Sequence, residues 1–259
     1  MTFPLIYCNG DSYSDQNYHS SLNNATYANV VAEQWANAYV FNRAVKGSSN
    51  RRIVRTTVHD ILHQKSLNPD QPIIALIGLT FLMRSEIWLE DHTASFPGES
   101  NFATMAFTSN TTWVSDLLTG NRLNAQIKIP GVDNATLEVN QKYLNRLAEG
   151  TGYFYSPYAK QIELLCDLIM LREFLTSQGV KFLIFNTVVP EEFESEYLLD
   201  FFQKQLYNDS RFIDLKNFSL IGWCQDQNFK PLDVGNHFGA DAHRAFAQHI
   251  LIPRLREIT

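Results

Sequence analysis

Short, continuously apolar runs alternate along this chain with longer amphipathic runs. The short runs are typical of strands buried on both faces of a sheet, and the long ones of helices with one apolar side. The predicted strands are 3–8, 39–41, 73–78, 180–185 and 211–215, and the predicted helices are 25–38, 51–64, 158–177, 191–207 and 240–256. This alternation predicts βα units around a parallel sheet, an α/β fold.

The segment 89–151 interrupts this pattern. It is rich in Asn, Thr, Ser and Gly, and it contains aromatic residues without a sustained period: Phe96, Phe102, Phe107 and Trp113. Connections of this length in a compact domain are usually lids, binding loops or small subdomains. We therefore interpret 89–151 as an insertion or lid within one domain spanning 1–259.

A glycine–aspartate–serine triplet, Gly10 to Ser12, directly follows the first predicted strand. A nucleophilic serine needs an exposed hydroxyl and nearby backbone N–H groups, and the carboxyl edge of a parallel sheet is where ligands bind. The same three residue types are also common in turns, and the triplet arises by chance in on the order of one chain in twenty of this length. The triplet alone leaves a catalytic serine and a plain turn open.

Two histidines lie near the other end of the chain. His237 belongs to a polar loop that begins at Asp233, where a base can be presented to a substrate, although most loop histidines have no such role. His243 falls on the apolar stripe of the last predicted helix. That position favours a packed, hydrogen-bonded core histidine over a catalytic one.

Together, the two ends of the chain resemble the SGNH (GDSL-type) serine hydrolases. The family's first block matches Gly10-Asp11-Ser12, its second (Asn-x-Ala-x-x-Gly) matches 42–47, and its fourth matches 233–237 before the last helix. Order, spacing and strand context agree over nearly the whole chain. The resemblance implies a three-layer α/β/α fold around a flavodoxin-like, five-stranded parallel sheet.

The third block departs from the family pattern. The family has Gly-x-Asn-Asp, whose Asn donates to the oxyanion, whereas this chain has Thr80 at the Asn position, after Gly78. A threonine hydroxyl donates over a shorter reach, and losing one such donor slows an enzyme by about two to three orders of magnitude. Just beyond, Arg84 and Glu86 fit either an ion pair that supports the site or a solvated helix face.

The acidic residue of the fourth block is displaced by one position. The family usually places Asp three residues before the catalytic histidine, where this chain has Val234. Asp233 therefore reaches His237 only if the loop bulges by one residue. Asp226 and Asp241 are the alternatives.

The resemblance implies an ester hydrolase in which Ser12 is the nucleophile, His237 the base and Asp233 the residue that orients the imidazole. The oxyanion hole would comprise the backbone N–H groups of Ser12 and Gly47, helped by Thr80. The residues expected to support the site are Asp11, Arg84 and Glu86. No metal and no organic cofactor is implied.

The expected substrate is a small-molecule or carbohydrate ester with a short, acetyl-type acyl chain. The aromatic side chains of 89–151 fit stacking on sugar rings, and they equally fit a small core of the insertion itself. Two other classes of protein stay open. One is a catalytically degenerate SGNH fold that binds carbohydrate or serves a structural role. The other is an unrelated flavodoxin-like protein whose 10–12 loop holds a phosphate, although the loop lacks P-loop and Rossmann glycines.

Composition and charge limit the classes of binding partner and the cellular compartment that we expect for this protein. The formal net charge is -6, and no run of basic residues exceeds Arg51-Arg52, so nucleic acid is not an expected partner. No apolar stretch approaches the roughly 20 residues of a membrane span, and no basic segment precedes the first apolar run, so we expect a cytoplasmic or otherwise soluble protein.

Cys8, Cys166 and Cys224 form no CxxC pair, which favours a reducing compartment, with Cys8 and Cys166 as small core residues. Nothing in the sequence indicates an oligomeric state.

Overall fold

The computed structural model describes residues 3–16, 25–35, 38–82, 84–88, 102–106, 157–190, 201, 204–233 and 235–258. The chain divides into two compact units, one formed by Met1–Leu82 with Gln161–Thr259 and the other by Met83–Lys160. Its described strands are β1 (Leu5–Asn9), β2 (Tyr39–Asn42), β3 (Ile73–Leu79), β4 (Arg84–Trp88), β5 (Phe102–Ala106), β6 (Lys181–Asn186) and β7 (Phe212–Ile213). Its described helices are α1 (Tyr27–Gln34), α2 (Asn50–Leu67), α3 (Pro157–Ser177), α4 (Leu220–Asp226), α5 (Ala240–Phe246) and α6 (Ile252–Glu257).

The larger unit is built on a five-stranded sheet with the order β2-β1-β3-β6-β7, in which every pair is parallel. Counting only the strands of this sheet, the order is 2-1-3-4-5, that of flavodoxin-like folds. Every residue of the central strands β1 and β3 is buried, which explains their uninterrupted apolar sequences. The predicted fold class is therefore confirmed. In such sheets the crevice beyond the carboxyl ends of β1 and β3 is where ligands bind.

Alternate side chains of β1 face two different helical layers. Ile6 and Cys8 belong to a core shared with α1 and the C-terminal helices. Tyr7 and Asn9 face α2 instead, where the Asn9 amide donates to the carbonyl of Ile53 and to two threonine hydroxyls. The sheet is thus covered on both faces, and β1 is held at the centre of the unit.

The C-terminal helical segment differs from its prediction in one respect. We predicted one helix over 240–256, but a π-helical stretch, Ala247–Leu251, separates α5 from α6. Pro253 lies in the first turn of α6. Because a proline has no N–H and its ring clashes with the carbonyl four residues earlier, a local widening of the helix accommodates it.

Other observed boundaries differ from the predicted ones by a few residues, and helix ends commonly vary by one or two residues. The helix predicted at 25–38 is shorter and that at 51–64 longer than expected, and the strand predicted at 211–215 is reduced to β7. Helix α4 was not predicted, although Ser219 caps its first turn by accepting from the Gly222 N–H. Of the helix predicted at 191–207, residues 191–200, 202 and 203 lie outside the described residues, and 201 and 204–207 are helical.

The second unit contains an antiparallel pair, β4 with β5, with Arg84 opposite Ala106 and Trp88 opposite Phe102. Arg84 and Glu86 therefore lie on a strand, and the interpretation of this segment as a helix face is wrong. Of the predicted insertion 89–151, only 102–106 belongs to the described residues, so its role as a lid stays a prediction. None of the described helices combines the length and the apolarity that a bilayer span requires.

Candidate active site

Ser12 lies in a tight turn at the carboxyl end of β1. The turn is closed by Asp11, whose carbonyl accepts from the N–H groups of Ser14 and Asp15 at 2.9 and 3.0 Å. A glycine is required just before it, because a Cβ on Gly10 would lie 2.4 Å from the Ser14 hydroxyl oxygen. The chain thus turns sharply and leaves the Ser12 side chain 7% exposed at the sheet edge.

The loop that precedes α5 folds around the carboxylate of Asp233. Oδ1 of Asp233 accepts from the backbone N–H of Gly235 at 2.9 Å and from that of His237 at 3.2 Å. Asn236 has a φ of +59°, in the left-handed region, which lets the chain reverse within this short loop. These contacts bring the carboxylate, four residues before the histidine, against the imidazole.

Three side chains form a hydrogen-bonded row across the two ends of the chain. Nε2 of His237 lies 2.9 Å from Oγ of Ser12, a residue 225 positions earlier in the sequence. Nδ1 of His237 lies 2.8 and 2.9 Å from the two carboxylate oxygens of Asp233. Because an ionised carboxylate only accepts, Nδ1 carries the proton of the neutral imidazole, and Nε2 is left to accept from the Ser12 hydroxyl.

The pKa of the Asp233 carboxyl lies below its ordinary value. Partial burial acts to raise this pKa, but the hydrogen bonds from the His237 side chain and backbone, the charge of His237 and the Gly235 N–H together outweigh it. Asp233 is therefore ionised at neutral pH, as a residue that orients an imidazole must be. The alternatives Asp226 and Asp241 are both exposed, and neither makes a hydrogen bond to His237 in the described structure.

Thr80 makes contacts that differ from its expected role. Its hydroxyl donates its single hydrogen to Oδ2 of the buried Asp11 at 2.5 Å. Its backbone is fixed by Asn50, whose side chain accepts from the Thr80 N–H at 2.8 Å and donates to the Thr80 carbonyl at 3.0 Å. The Thr80 hydroxyl thus contacts Asp11, and its expected contribution to an oxyanion hole stays a prediction.

The stretch 42–47, after β2, is tied to the serine turn. The Asn42 amide donates to the carbonyl of Ser14 at 2.8 Å, and the Val45 N–H donates to the carbonyl of Gly10 at 3.2 Å. Gly47 has a φ of +81°, which explains why this position is glycine. Among the described residues, no acceptor takes the backbone N–H of Ser12 or that of Gly47.

His243 is a core residue, as its position on the apolar stripe predicted. Its ring stacks on Tyr27, and Nδ1 accepts from the Tyr27 N–H at 3.4 Å. Burial, together with the charge of His237, lowers the pKa of His243 to about 4. The buried ring is thus neutral at physiological pH and is separate from the Ser12–His237 row.

Cys8 and Cys224 are likewise buried, and burial raises the pKa of each thiol to about 12, whereas Cys166 is only half-buried.

Three residues at this edge of the sheet were missed by the sequence reasoning. Asn50 begins α2, Tyr13 follows the serine directly, and Thr187 follows β6, where its hydroxyl lies 3.5 Å from Oδ1 of Asp11. Only Tyr13 had a sequence signal, because it adjoins the predicted nucleophile. Arg84 and Glu86 belong to the second unit, so their predicted support of the site stays a prediction.

No protein-family model matches the chain, and no curated protein matches it. Solved structures similar to this one include the crystal structure of a member of the lipolytic protein G-D-S-L family from Veillonella parvula DSM 2008. The sequence identity is 13% and the TM-score 0.42, over 95% of this chain and 96% of that chain.

Proposed function

We propose that this protein is a serine ester hydrolase with Ser12 as nucleophile, His237 as general base and Asp233 as the orienting acid. The observation that carries the proposal is the unbroken row of hydrogen bonds from the Ser12 hydroxyl through the imidazole to the carboxylate. A row of this kind activates a hydroxyl that is otherwise a weak nucleophile at neutral pH.

The reaction proceeds as an acyl transfer through a covalent serine ester. His237 takes the hydroxyl proton at Nε2 while Ser12 Oγ bonds to the ester carbonyl carbon, and the same nitrogen returns the proton to the leaving alcohol. Asp233 keeps the second ring nitrogen protonated and stabilises the imidazolium. A water molecule, deprotonated by His237, then cleaves the acyl-enzyme and regenerates the Ser12 hydroxyl.

The oxyanion formed at each step would be received by backbone N–H groups. The N–H groups of Ser12 and Gly47 have no acceptor among the described residues, which supports this role. With the Thr80 hydroxyl engaged by Asp11, the oxyanion hole lacks the side-chain donor of the family pattern. Removing one donor from such a hole costs about 10²–10³ in kcat, so we expect slow turnover.

The proposed substrates are esters with short acyl chains, above all acetyl esters, including those of carbohydrates. The proposed nucleophile and base are 7% and 8% exposed, which favours a small acyl group beside them. A methyl group fits such a space more easily than a long alkyl chain does. The sugar preference rests on the aromatic residues of 89–151, which fit stacking on sugar rings.

Labelling with a fluorophosphonate probe tests the nucleophile. We expect one probe molecule per chain, attached to Ser12 by peptide mass spectrometry, and hydrolysis of nitrophenyl acetate. Ser12→Ala should lose both, whereas Ser66→Ala, which changes an exposed serine on α2, should keep both. Acetylated sugars and nitrophenyl esters of increasing chain length then define the acyl and alcohol preferences.

A different outcome would favour a second function. If the folded wild-type protein neither labels at Ser12 nor hydrolyses any acetyl ester, the hydrolase proposal fails. A binding module built on this fold would then be the better interpretation, because the engaged Thr80 hydroxyl is the observation that favours it. Binding of unmodified sugars, measured by calorimetry, would identify such a module.

A further inference from the structure

Tyr13 contacts the loop of the candidate base at two separate points. Its ring stacks on the imidazole of His237, with centroids 4.5 Å apart and planes 18° from parallel. Its hydroxyl donates to the carbonyl of Gly235 at 2.6 Å. The side chain is 7% exposed, so water competes little with either contact. One residue thus holds both the ring and the backbone of the base loop.

The contacts of Tyr13 also link the base to the nucleophile. Tyr13 follows Ser12 in the chain, and its own N–H donates to Oδ1 of Asp11 at 3.1 Å. On the other side, the N–H of Gly235 donates to the Asp233 carboxylate while its carbonyl accepts from Tyr13. The bulged loop is therefore fixed from both sides, by the acid and by the neighbour of the serine.

The geometry points to Tyr13 as a positioning residue that locks the His237 imidazole between Asp233 and Ser12 and stabilises its protonated form. This inference rests on the proposed hydrolase function. Without the Tyr13 ring, the imidazole is free to rotate about its side-chain bonds away from the Ser12 hydroxyl. Displacing a reacting group by about 1 Å can cost on the order of 100-fold in rate.

The electrostatic part follows from the groups that face His237. Asp233, from its own loop, favours the imidazolium, whereas the buried ring of His243, from α5, is neutral at physiological pH and adds no charge beside it. Tyr13, from the turn after β1, presents an aromatic face, and a cation over such a face is stabilised. The ring should therefore stabilise the imidazolium that forms while His237 holds the Ser12 proton.

Two substitutions separate the two contacts. Tyr13→Phe keeps the ring and loses the bond to the Gly235 carbonyl, so we expect kcat to fall about tenfold at nearly unchanged KM. Tyr13→Leu loses both contacts, so we expect kcat to fall about 100-fold, again at nearly unchanged KM. A higher kcat in Tyr13→Phe than in Tyr13→Leu assigns the difference to the ring.

A matched control is Tyr39→Phe. Tyr39 lies at the amino end of β2, away from the site, and its hydroxyl also makes one hydrogen bond, with the Gln71 amide. We expect a small loss of stability and a wild-type kcat. This comparison separates a role in holding the base from the general cost of losing a tyrosine hydroxyl.

NMR spectroscopy of the His237 imidazole tests the inference without any substrate. The His237→Gln spectrum assigns the signal, and we expect the imidazole proton shifts to change in Tyr13→Leu, which removes the stacked ring, and to change little in Tyr13→Phe, which keeps it. Unchanged imidazole shifts in Tyr13→Leu would refute the stacking contribution, whether or not the protein hydrolyses esters. If Tyr13→Leu does not fold, Tyr13→Phe decides the matter: wild-type kcat and a wild-type rate of fluorophosphonate labelling would refute the locking role.

Discussion

The hydroxyl of Thr80 donates to the carboxylate of Asp11 at 2.5 Å, and both side chains are buried. The same carboxylate accepts from the Tyr13 N–H, inside the turn that carries Ser12. The end of β3 therefore supports the candidate nucleophile through a buried carboxylate. Asn50 completes this support by bonding to both backbone groups of Thr80.

Removal of the Thr80 hydroxyl should destabilise the protein. Thr80→Val keeps the shape of the side chain but removes this hydrogen bond to Oδ2 of Asp11, and a hydrogen bond to a charged group contributes about 1.5–3 kcal/mol. Thr80→Ser keeps the donor and should lose less. Urea unfolding measures both, and a Thr80→Val variant as stable as the wild type would contradict the importance of this bond.

Asp233→Asn should reduce ester hydrolysis by about 10⁴-fold while leaving the fold intact. The amide group can present its N–H to Nδ1 of His237, which then favours the tautomer that cannot accept from Ser12. Asp226→Asn and Asp241→Asn change the two exposed alternatives and should keep near-wild-type kcat. A large loss in either control, with little effect at Asp233, would reassign the orienting acid.

Gly235→Ala should displace the imidazole. A Cβ at this position would lie 2.8 Å from Cε1 and 2.9 Å from Nδ1 of His237, closer than side-chain atoms pack, so the ring must move. We expect kcat to fall by about 100-fold with a small change in thermal stability. In Gly239→Ala the new Cβ meets chiefly the exposed Asp241 carboxylate at 3.1 Å, so activity should survive. Equal activity in both variants would show that the ring is not confined by Gly235.

The stability of the protein should fall as the pH drops from about 6.5 to 4. The pKa of His243 is lowered by burial to about 4 in the folded state, so unfolding takes up a proton throughout this interval. The contribution of His243 is fully present above pH 6.5, and its full loss amounts to about 3 kcal/mol. The pKa of Asp233 is also lowered, so the stability that it contributes is lost at lower pH, below the ordinary range of a carboxyl.

Urea unfolding between pH 4 and 8 measures this dependence. His243→Gln removes the titrating group and should flatten the slope between pH 6.5 and 4, even though the variant is less stable at neutral pH. His249→Gln, which changes an exposed histidine of the same helical segment, should leave the slope as it is. An unchanged slope in His243→Gln would assign the acid sensitivity to other groups.

The apolar pattern was sufficient to predict the sheet and most of its helices. Strands buried on both faces need continuous apolar runs, and β1 and β3 show them in full. Sequence patterns failed where a non-local contact decided the outcome. The strand β7 is short because only Phe212 and Ile213 pair with β6. The number of residues that pair cannot be predicted from the hydrophobic pattern of 211–215.

The sequence by itself determined the order of the elements and the residue types at their ends, including a serine after β1 and a histidine before α5. Only the tertiary structure decided which of these groups meet, because the sheet brings together residues 225 positions apart, and their hydrogen bonds depend on distances of a few ångströms. The hydrogen bond from the Thr80 hydroxyl to Asp11 and the stacking of Tyr13 on His237 likewise depend on the tertiary structure. The residue type determines whether a side chain can donate or accept a hydrogen bond, and the tertiary structure determines which partner lies within reach.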